Sequence, residues 1–581
     1  MVQSCCKDMA TIIKRKISGG TYYYLTHSYR VKEAGQKGKG RVKTKQIYLG
    51  TAEDVLQKIS QVQTPESLVA RSFGLEAAAL QVVQKLDLIN IIDRHVGKRR
   101  QGLSVGQYLA VAAINRIVKP SSKNGIADWC RTSVLPDLMK IDSRLLKSQN
   151  FWDAFEKMLS ESHGDDAPAP GAGDQNPVID DQIILDIEMD VWKQVSAIYG
   201  VSLDPVLYDA TNYFTFLDPM TPSDLARFAK SKDGKDGQRC VGLALGQTLA
   251  DHLPLFHLAY AANCHDARLF PTAIRRLTDC FAKLNQATTG VILVMDKGNN
   301  SEANVQDVVV KRGMTLVGSL VPGRFPDLLR KQLRSYQDRA RGLPAYREHR
   351  DVFGIPCVVV MTFNAKLRKR QLMAFEARLE KAESRIRDAI AKHGRKDSKQ
   401  TMRERLDRIL RATGTRRFLQ VDIQGRRHKT FEVARIPEAI TERRRRMGKN
   451  LMFSTDPSMT SETVVGFYRE RDRVEKTFRL TKDPSGVPFR PMHHWTDSKI
   501  RVFCFTCVLA LLIWRLLHLA LTRAGMKVSD KVLRMELEGI REITMLYPGA
   551  RTVRSLADRS EVQKNFSAVL GLNAFLPSAG P

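Results

Sequence analysis

Apolar and polar positions recur with different periods along this chain, and the period marks off its parts. Tyr22–Arg30 and Arg41–Gly50 (YYYLTHSYR and RVKTKQIYLG) read as two strands around a Gly/Lys-rich turn. From about Ser67 to Ser160 the spacing becomes helical, with Leu75, Ala78, Leu80, Val83, Leu86, Leu88, Ile91 and Ile92 on recurring turns. Within that stretch, Val105–Asp137 carries a Lys119–Gly125 turn between two helices, which fits either a helix-turn-helix or an ordinary helix hairpin. Residues 163–177 (HGDDAPAPGAGDQNP) are rich in Pro, Gly and Asp and read as a linker.

Beyond the linker, strand-like runs at Val206–Tyr208, Val241–Leu249, Leu255–Ala261, Val291–Met295 and Met314–Val321 alternate with a helix around Leu269–Leu284. Such a mixture predicts an α/β core around one mixed sheet. Leu372, Phe375, Leu379, Ala382, Ile386 and Ala389 repeat at three-four spacing, which predicts a coiled-coil hairpin over 365–412 that closes near His393–Asp397. Strand-like flanks at Cys357–Phe363 and Phe418–Ile436 indicate a β-rich insertion around it. The longest apolar run, Val502–Trp514, is cut by Arg515 and His518, short of the roughly 20 residues that span a bilayer, so a buried core helix is expected and no membrane partner.

These periods divide the chain into a small basic β unit (1–60), a helical domain with a possible DNA-binding role (61–162), the linker (163–177), a first core segment (178–324), the insertion (325–460), a last core segment (461–525) and a C-terminal helical region (526–581). At 581 residues several folding units are required in any case.

Charge adds a partner to this picture. Lys and Arg number 93 against 62 acidic residues, a net charge of +31, and basic runs occur at Lys98–Arg100, Lys366–Arg370 and Arg443–Arg446. An excess of that size favours a polyanion, nucleic acid first. The N-terminus lacks the basic start and apolar stretch of a secretory signal, so a cytoplasmic, nucleoid-associated protein is expected. Nine scattered cysteines fit reduced thiols, and the Cys504/Cys507 pair sits in the apolar helix with no second pair at zinc spacing.

Two aspartates share a context. Asp209 follows Val206-Leu207-Tyr208 and Asp296 follows Val291–Met295, so each carboxylate is expected at the exit of a buried strand, where open α/β sheets bind ligands. An Asp in this position can equally cap a turn. The segment Val464–Lys482 (VVGFYRERDRVEKTFRLTK) reads as one helix that carries Tyr468, Arg471, Glu475 and Lys482 within a stripe of about 60°. An exposed helix with weak Arg471–Glu475–Arg479 ion pairs, about 0.3–0.5 kcal/mol each, is the plainer alternative. His252, His257, His265, His493 and His494 are assigned no chemistry, and Trp495 reads as a packed aromatic that could instead stack on a base.

Asp209 in YDATNYF, Asp296 in VMDKGNN, and Tyr468, Arg471, Glu475 and Lys482 together resemble the Y-x2-R-x3-E-x6-K signature of a large group of bacterial insertion-sequence DDE transposases. The likeness covers roughly Leu203–Leu519 and includes the stretch RPMHHW at 490–495 before the apolar helix. It implies an RNase H-like catalytic core with a β-rich insertion between the second and third acids. It further implies that Asp209, Asp296 and Glu475 bind two Mg2+ ions, with Mn2+ as a substitute. Tyr468, Arg471 and Lys482 would contact double-stranded DNA at terminal inverted repeats, and a homodimer would assemble on the DNA.

Phosphoryl transfer suits such a set, because its main demands are alignment and neutralisation of charge on phosphate oxygens. Two other readings share the composition: an RNase H-like nuclease without strand transfer, and a non-enzymatic DNA-binding protein derived from a transposase.

Overall fold

The structure is a computed structural model that describes residues 9–31, 41–60, 64–97, 99, 101–160, 181–232, 234, 237–425, 429–548 and 551–576. The expected linker at 163–177, together with Lys98 and Arg100 of the first basic run, lies outside the described residues. Two compact units are present. One comprises Met1–Arg71, Arg541–Arg559 and Leu576–Pro581, and the other comprises Ser72–Ile540 and Ser560–Phe575.

The first unit opens with an antiparallel meander, β1 (Met9–Ile17), β2 (Gly20–Val31) and β3 (Arg41–Gly50). The period of two at Tyr22–Arg30 and Arg41–Gly50 accounts for β2 and β3; β1 is an additional strand. It pairs with β2 across Ser18-Gly19, both at positive φ, the two-residue turn that matches strand twist. Helix α1 (Ala52–Ser60) and strand β4 (Ser67–Ser72) follow.

The second unit begins with helices α2 (Gly74–Lys85), α3 (Leu88–His95), α4 (Val105–Val118), α5 (Lys123–Arg131), α6 (Leu135–Met139), α7 (Ser148–Ser160) and α8 (Gln182–Tyr199). In the Val105–Asp137 segment α4 is almost wholly buried. Lys123, at the start of α5, is itself buried, with its ammonium 4.1 Å from the Phe155 ring centre. This hairpin thus spends its central cation on packing.

A ten-stranded sheet comes next in the chain. It contains β5 (Val206–Phe214), β6 (Arg227–Phe228), β7 (Arg239–Thr248), β8 (Pro254–Ala261), then after α9 (Asp266–Lys283) β9 (Ile292–Val294), and after α10 (Glu302–Gln306) β10 (Thr315–Ser319). Past α11 (Pro326–Arg330) it continues with β11 (Asp338–Ala340), β12 (Leu343–Val352) and β13 (Ile355–Phe363). The order at its centre is β8-β7-β5-β9-β10: β7 is antiparallel to both β8 and β5, while β9 is parallel to both β5 and β10. Strands buried on both faces account for the near-continuous apolar runs in β5, β7 and β8.

The segment expected as a separate β-rich insertion divides in two. Its strands β11, β12 and β13 join the central sheet, because β16 (Lys449–Ser454) pairs antiparallel with β13 on one side and β10 on the other. The rest is a module with its own core: α12 (Ala365–His393), α13 (Lys399–Thr413), the strand pair β14 (Leu419–Gln424) and β15 (Thr430–Arg435), and α14 (Pro437–Arg446). Phe375, Leu379, Ala382 and Ile386 of α12 pack with Met402, Leu406 and Leu410 of α13, as the three-four spacing predicts. Leu419, Ile423 and Ile440 complete this core, so the hairpin lies on a small sheet and a third helix and is not a free coiled coil.

Helices α15 (Ser461–Glu470), α16 (Asp472–Lys482), α17 (Asp497–Arg523) and α18 (Asp530–Glu538) follow. Among the described residues α17 alone is long and apolar enough to cross a membrane, and 89% of its most apolar stretch is buried inside the protein. It packs against α2, α4, α7 and β8. The expected all-helical C-terminal region is corrected. After α18 the chain forms β17 (Arg541–Tyr547) and β18 (Arg551–Leu556), which make a sheet of the first unit in the order β18-β17-β4, before α19 (Glu561–Val569) returns to the second. β4 likewise replaces the expected start of the helical domain at Ser67. Pairing between residues so far apart in sequence leaves no local signal.

Candidate catalytic centre

Strands β5 and β9 run parallel with Val206 opposite Leu293 and Leu207 opposite Val294. Asp209 and Asp296 each lie two residues beyond the last pair of that register, close enough for the charge of one to act on the other. Asp209 is the one residue of β5 that is not fully buried. It lies inside the strand and not at its exit as expected, because β7 pairs with β5 along its whole length to Phe214. β9 stops at Val294, so the edge of β5 that faces β9 opens at this point, and Asp296 leads into a 3-10 turn over Lys297–Asn299. The crevice expected at a strand end is thereby formed by the short partner.

Asp209 Oδ1 accepts a hydrogen bond from the Ala210 N–H at 2.8 Å. Burial pushes the Asp209 carboxyl up to about 6; the Ala210 N–H, Lys232 and Arg471 pull it down, and the neighbouring Asp296 pushes it further up. Lys232 Nζ donates to the Ala210 carbonyl at 2.7 Å, so a cation from the 230–238 loop stands next to this acid. Nothing in the sequence singled Lys232 out from its Lys/Gly-rich surroundings.

The third acid arrives on a helix pair. Val464 and Val465 anchor α15 in a core that includes Leu207, Val294 and Val317. Tyr213 of β5 meets Thr481 of α16 through a 2.6 Å hydroxyl–hydroxyl hydrogen bond, which lays α16 across the strand that carries Asp209. The single helix expected over 464–482 is broken at Arg471. There the Arg471 N–H donates to the Tyr468 carbonyl and the Val474 N–H donates to the Arg471 carbonyl, three-residue bonds that tighten the turn.

At this break the signature side chains converge. Arg471 Nη1 lies 2.6 Å from Asp296 Oδ1 and its Nη2 lies 3.2 Å from Glu475 Oε1. Tyr468 donates its hydroxyl to Ser319 Oγ at 2.7 Å and to Asp296 Oδ1 at 3.3 Å. Burial opposes the charge of Arg471, yet Tyr468, Asp296, Glu475 and Asp209 outweigh it and hold its pKa above the ordinary range. Burial raises the Tyr468 phenol. Ser319, at the end of β10, was invisible in the sequence because its partner is 149 residues away.

Lys482 does not join this cluster. Its ammonium lies 5.4 Å from the ring centre of Tyr213, about 13 Å along β5 from Asp209. The length of α16 carries it down the strand, on the same side as Asp209 by the period of two. Among the described residues, no three Asp, Glu, His or Cys groups already form a closed metal-ligand set; Arg471 stands between Asp296 and Glu475. His494 is buried among Trp152, Phe155 and Phe503, and Trp495, 57% exposed, stacks on Trp152 at 5.4 Å. Cys504 and Cys507 are buried free thiols, with the Cys507 thiol pushed up to about 12 by burial.

No protein-family model and no curated protein matches this chain. Among solved structures, a piggyBac transposase synaptic complex with hairpin DNA is 10% identical, with 79% of each chain covered and a TM-score of 0.36, a value too low to carry an argument.

Proposed function

We propose that this chain is a DDE-type DNA transposase with an RNase H-like core, which cleaves DNA at the ends of an insertion sequence and transfers the strands to a target. The observation that supports the reading is that Arg471 bridges two acids remote in sequence, with a third beside them. Asp209 on β5 and Asp296 just past the end of β9 lie close enough to act on each other, and Arg471 links Glu475 to Asp296. The core assignment is supported by an antiparallel β8-β7-β5 group that continues into parallel β9 and β10, with Asp209 on β5 and Asp296 two residues past β9.

The donor set fits a divalent ion. Asp209, Asp296 and Glu475 offer oxygen only, the ligand type of Mg2+ and Mn2+. Burial, and to a lesser degree the neighbouring Asp296, disfavours ionisation of Asp209, and a nearby cation would offset both. When bound, two Mg2+ ions, or Mn2+ in their stead, supply Lewis acidity toward the phosphate and an activated oxygen nucleophile. Asp209 and Asp296 would hold them from the sheet and Glu475 from its helix. Arg471, once released from the acids, is a bidentate donor for a phosphate, and Tyr468 is a hydroxyl donor beside it. Lys482 is suited to the DNA backbone farther from the scissile bond. Double-stranded DNA, as terminal inverted repeats and as target, and a homodimer on that DNA belong to the same proposal.

The test uses a labelled duplex that carries the inverted repeats flanking the gene. Mg2+-dependent cleavage and joining are expected from the wild type. Asp209→Ala, Asp296→Ala and Glu475→Ala should each abolish cleavage with end binding largely kept. Full cleavage in any of these variants removes that acid from the site, and cleavage without joining leaves a nuclease.

A further inference from the structure

The helical module holds a second feature. Arg378, Lys381 and Arg385 of α12 converge with Arg411, Ala412, Thr413 and Gly414 at the end of α13 on a cleft of about 430 Å3. All four cations are exposed, and no acidic side chain lines the cleft. Spacings of three and four residues stack Arg378, Lys381 and Arg385 on one helix face, where like charges destabilise the helix.

Several other cations of the same module are paired. Arg435 bonds Glu383 at 2.7 Å and Glu376 at 3.0 Å, Arg444 bonds Glu376 at 2.6 Å, and Arg405 bonds Asp397 at 3.0 Å. In the cleft, by contrast, Arg378, Lys381 and Arg385 have no ion-pair partner among the described residues, and Arg411 shares the single carboxylate of Asp407 with Arg416. Four cations therefore face one cleft, and Asp407 is the one carboxylate paired with any of them among the described residues. The module's buried core fixes the two helices that carry it.

We infer that this cleft binds the phosphodiester backbone of duplex DNA, away from the carboxylate centre and independently of base sequence. The choice of DNA over another polyanion rests on the proposed function; the anion site itself does not. Free phosphate is the other source of the same chemistry.

The experiment measures duplex binding by fluorescence anisotropy without divalent ions, between roughly 50 and 200 mM salt. The full-length triple variant Arg378→Ala, Lys381→Ala, Arg385→Ala is compared with the wild type. Removal of three phosphate contacts is expected to lower the slope of log K against log salt by about 2 to 3, with a loss of roughly tenfold or more at low salt, equal for specific and random duplexes. Lysine at Arg378 and Arg385 should retain most binding, and Arg435→Ala, on the paired side, should leave it unchanged. An unaltered slope and affinity in a triple variant of normal thermal stability overturns the inference. So does inorganic phosphate that competes as well as duplex at equal phosphate concentration. A wild type that binds duplex with the expected slope but never cleaves it overturns the catalytic reading and leaves the cleft intact.

Discussion

The guanidinium of Arg471 lies 2.6 Å from the carboxylate of Asp296, and the same group also reaches Glu475 at 3.2 Å. One delocalised cation therefore gathers two acids that would repel each other if left alone. Arg471→Gln removes that charge and keeps some hydrogen-bonding capacity. Without added metal, the variant is expected to lose about 1–3 kcal/mol of stability. The released acids should bind Mn2+ about tenfold more tightly, the equivalent of roughly 1.4 kcal/mol. Calorimetric titration in the absence of DNA reads the affinity, and equal Mn2+ binding by wild type and variant would show that the guanidinium does not compete.

Asp209 gives the centre a pH signature. Its carboxyl titrates near 6 when folded, against an ordinary value of 3.8, because burial disfavours the charged form. The folded protein thus holds a proton that the unfolded chain releases, so this contribution to stability is complete below about pH 4 and lost as pH rises through about 6. Asp209→Asn, which cannot ionise, is expected to stabilise the metal-free protein by about 2 kcal/mol near pH 8, with the gain shrinking toward zero near pH 4. Thermal unfolding in chelator at several pH values checks this; a gain independent of pH contradicts it.

Tyr468 and Ser319 form the second contact of the cluster. Ser319→Ala and Tyr468→Phe each break the 2.7 Å bond between them and should each cost about 1 kcal/mol. The double variant should cost little more than either single one, a coupling of about 1 kcal/mol. Additive losses would mean that the two hydroxyls act separately.

A buried ionic group beneath α17 offers a test of folding apart from the acids. His257 Nδ1 lies 2.6 Å from Glu188 Oε1, and Arg276, 1% exposed, lies 3.5 Å from Glu188 Oε2. Glu188→Gln removes one carboxylate from beside a buried guanidinium that keeps its bond to the Asp181 carbonyl, and is expected to destabilise by about 1–3 kcal/mol, visible as a lower Tm.

Much of this centre could be read along the chain, and the unread parts have a common cause. Asp209, Asp296 and the Tyr468–Glu475 spacing stand out because strand and helix periods are local. The burial of α17 follows from its composition in the same way. The break at Arg471 has no such mark, since no Pro lies in 464–482 and its one glycine, Gly466, precedes the break by five residues. Lys232 and Ser319 enter through contacts fixed only by the assembled sheet. The attachment of β11–β13 to the central sheet through β16, and of β17 to β4, depends on partners far along the chain.

The tightened turn at Arg471 also splits one signature into two mechanical halves. Tyr468 takes its bearing from the layer beneath α15, whereas Glu475 takes its bearing from the strand beneath α16. A one-residue insertion before Arg471 would swing the phenol about its axis and leave the glutamate seated; one after it would do the opposite. Tolerance of length changes in this segment should therefore switch character at a single residue, and a motif that reads as one word along the chain would behave under mutation as two.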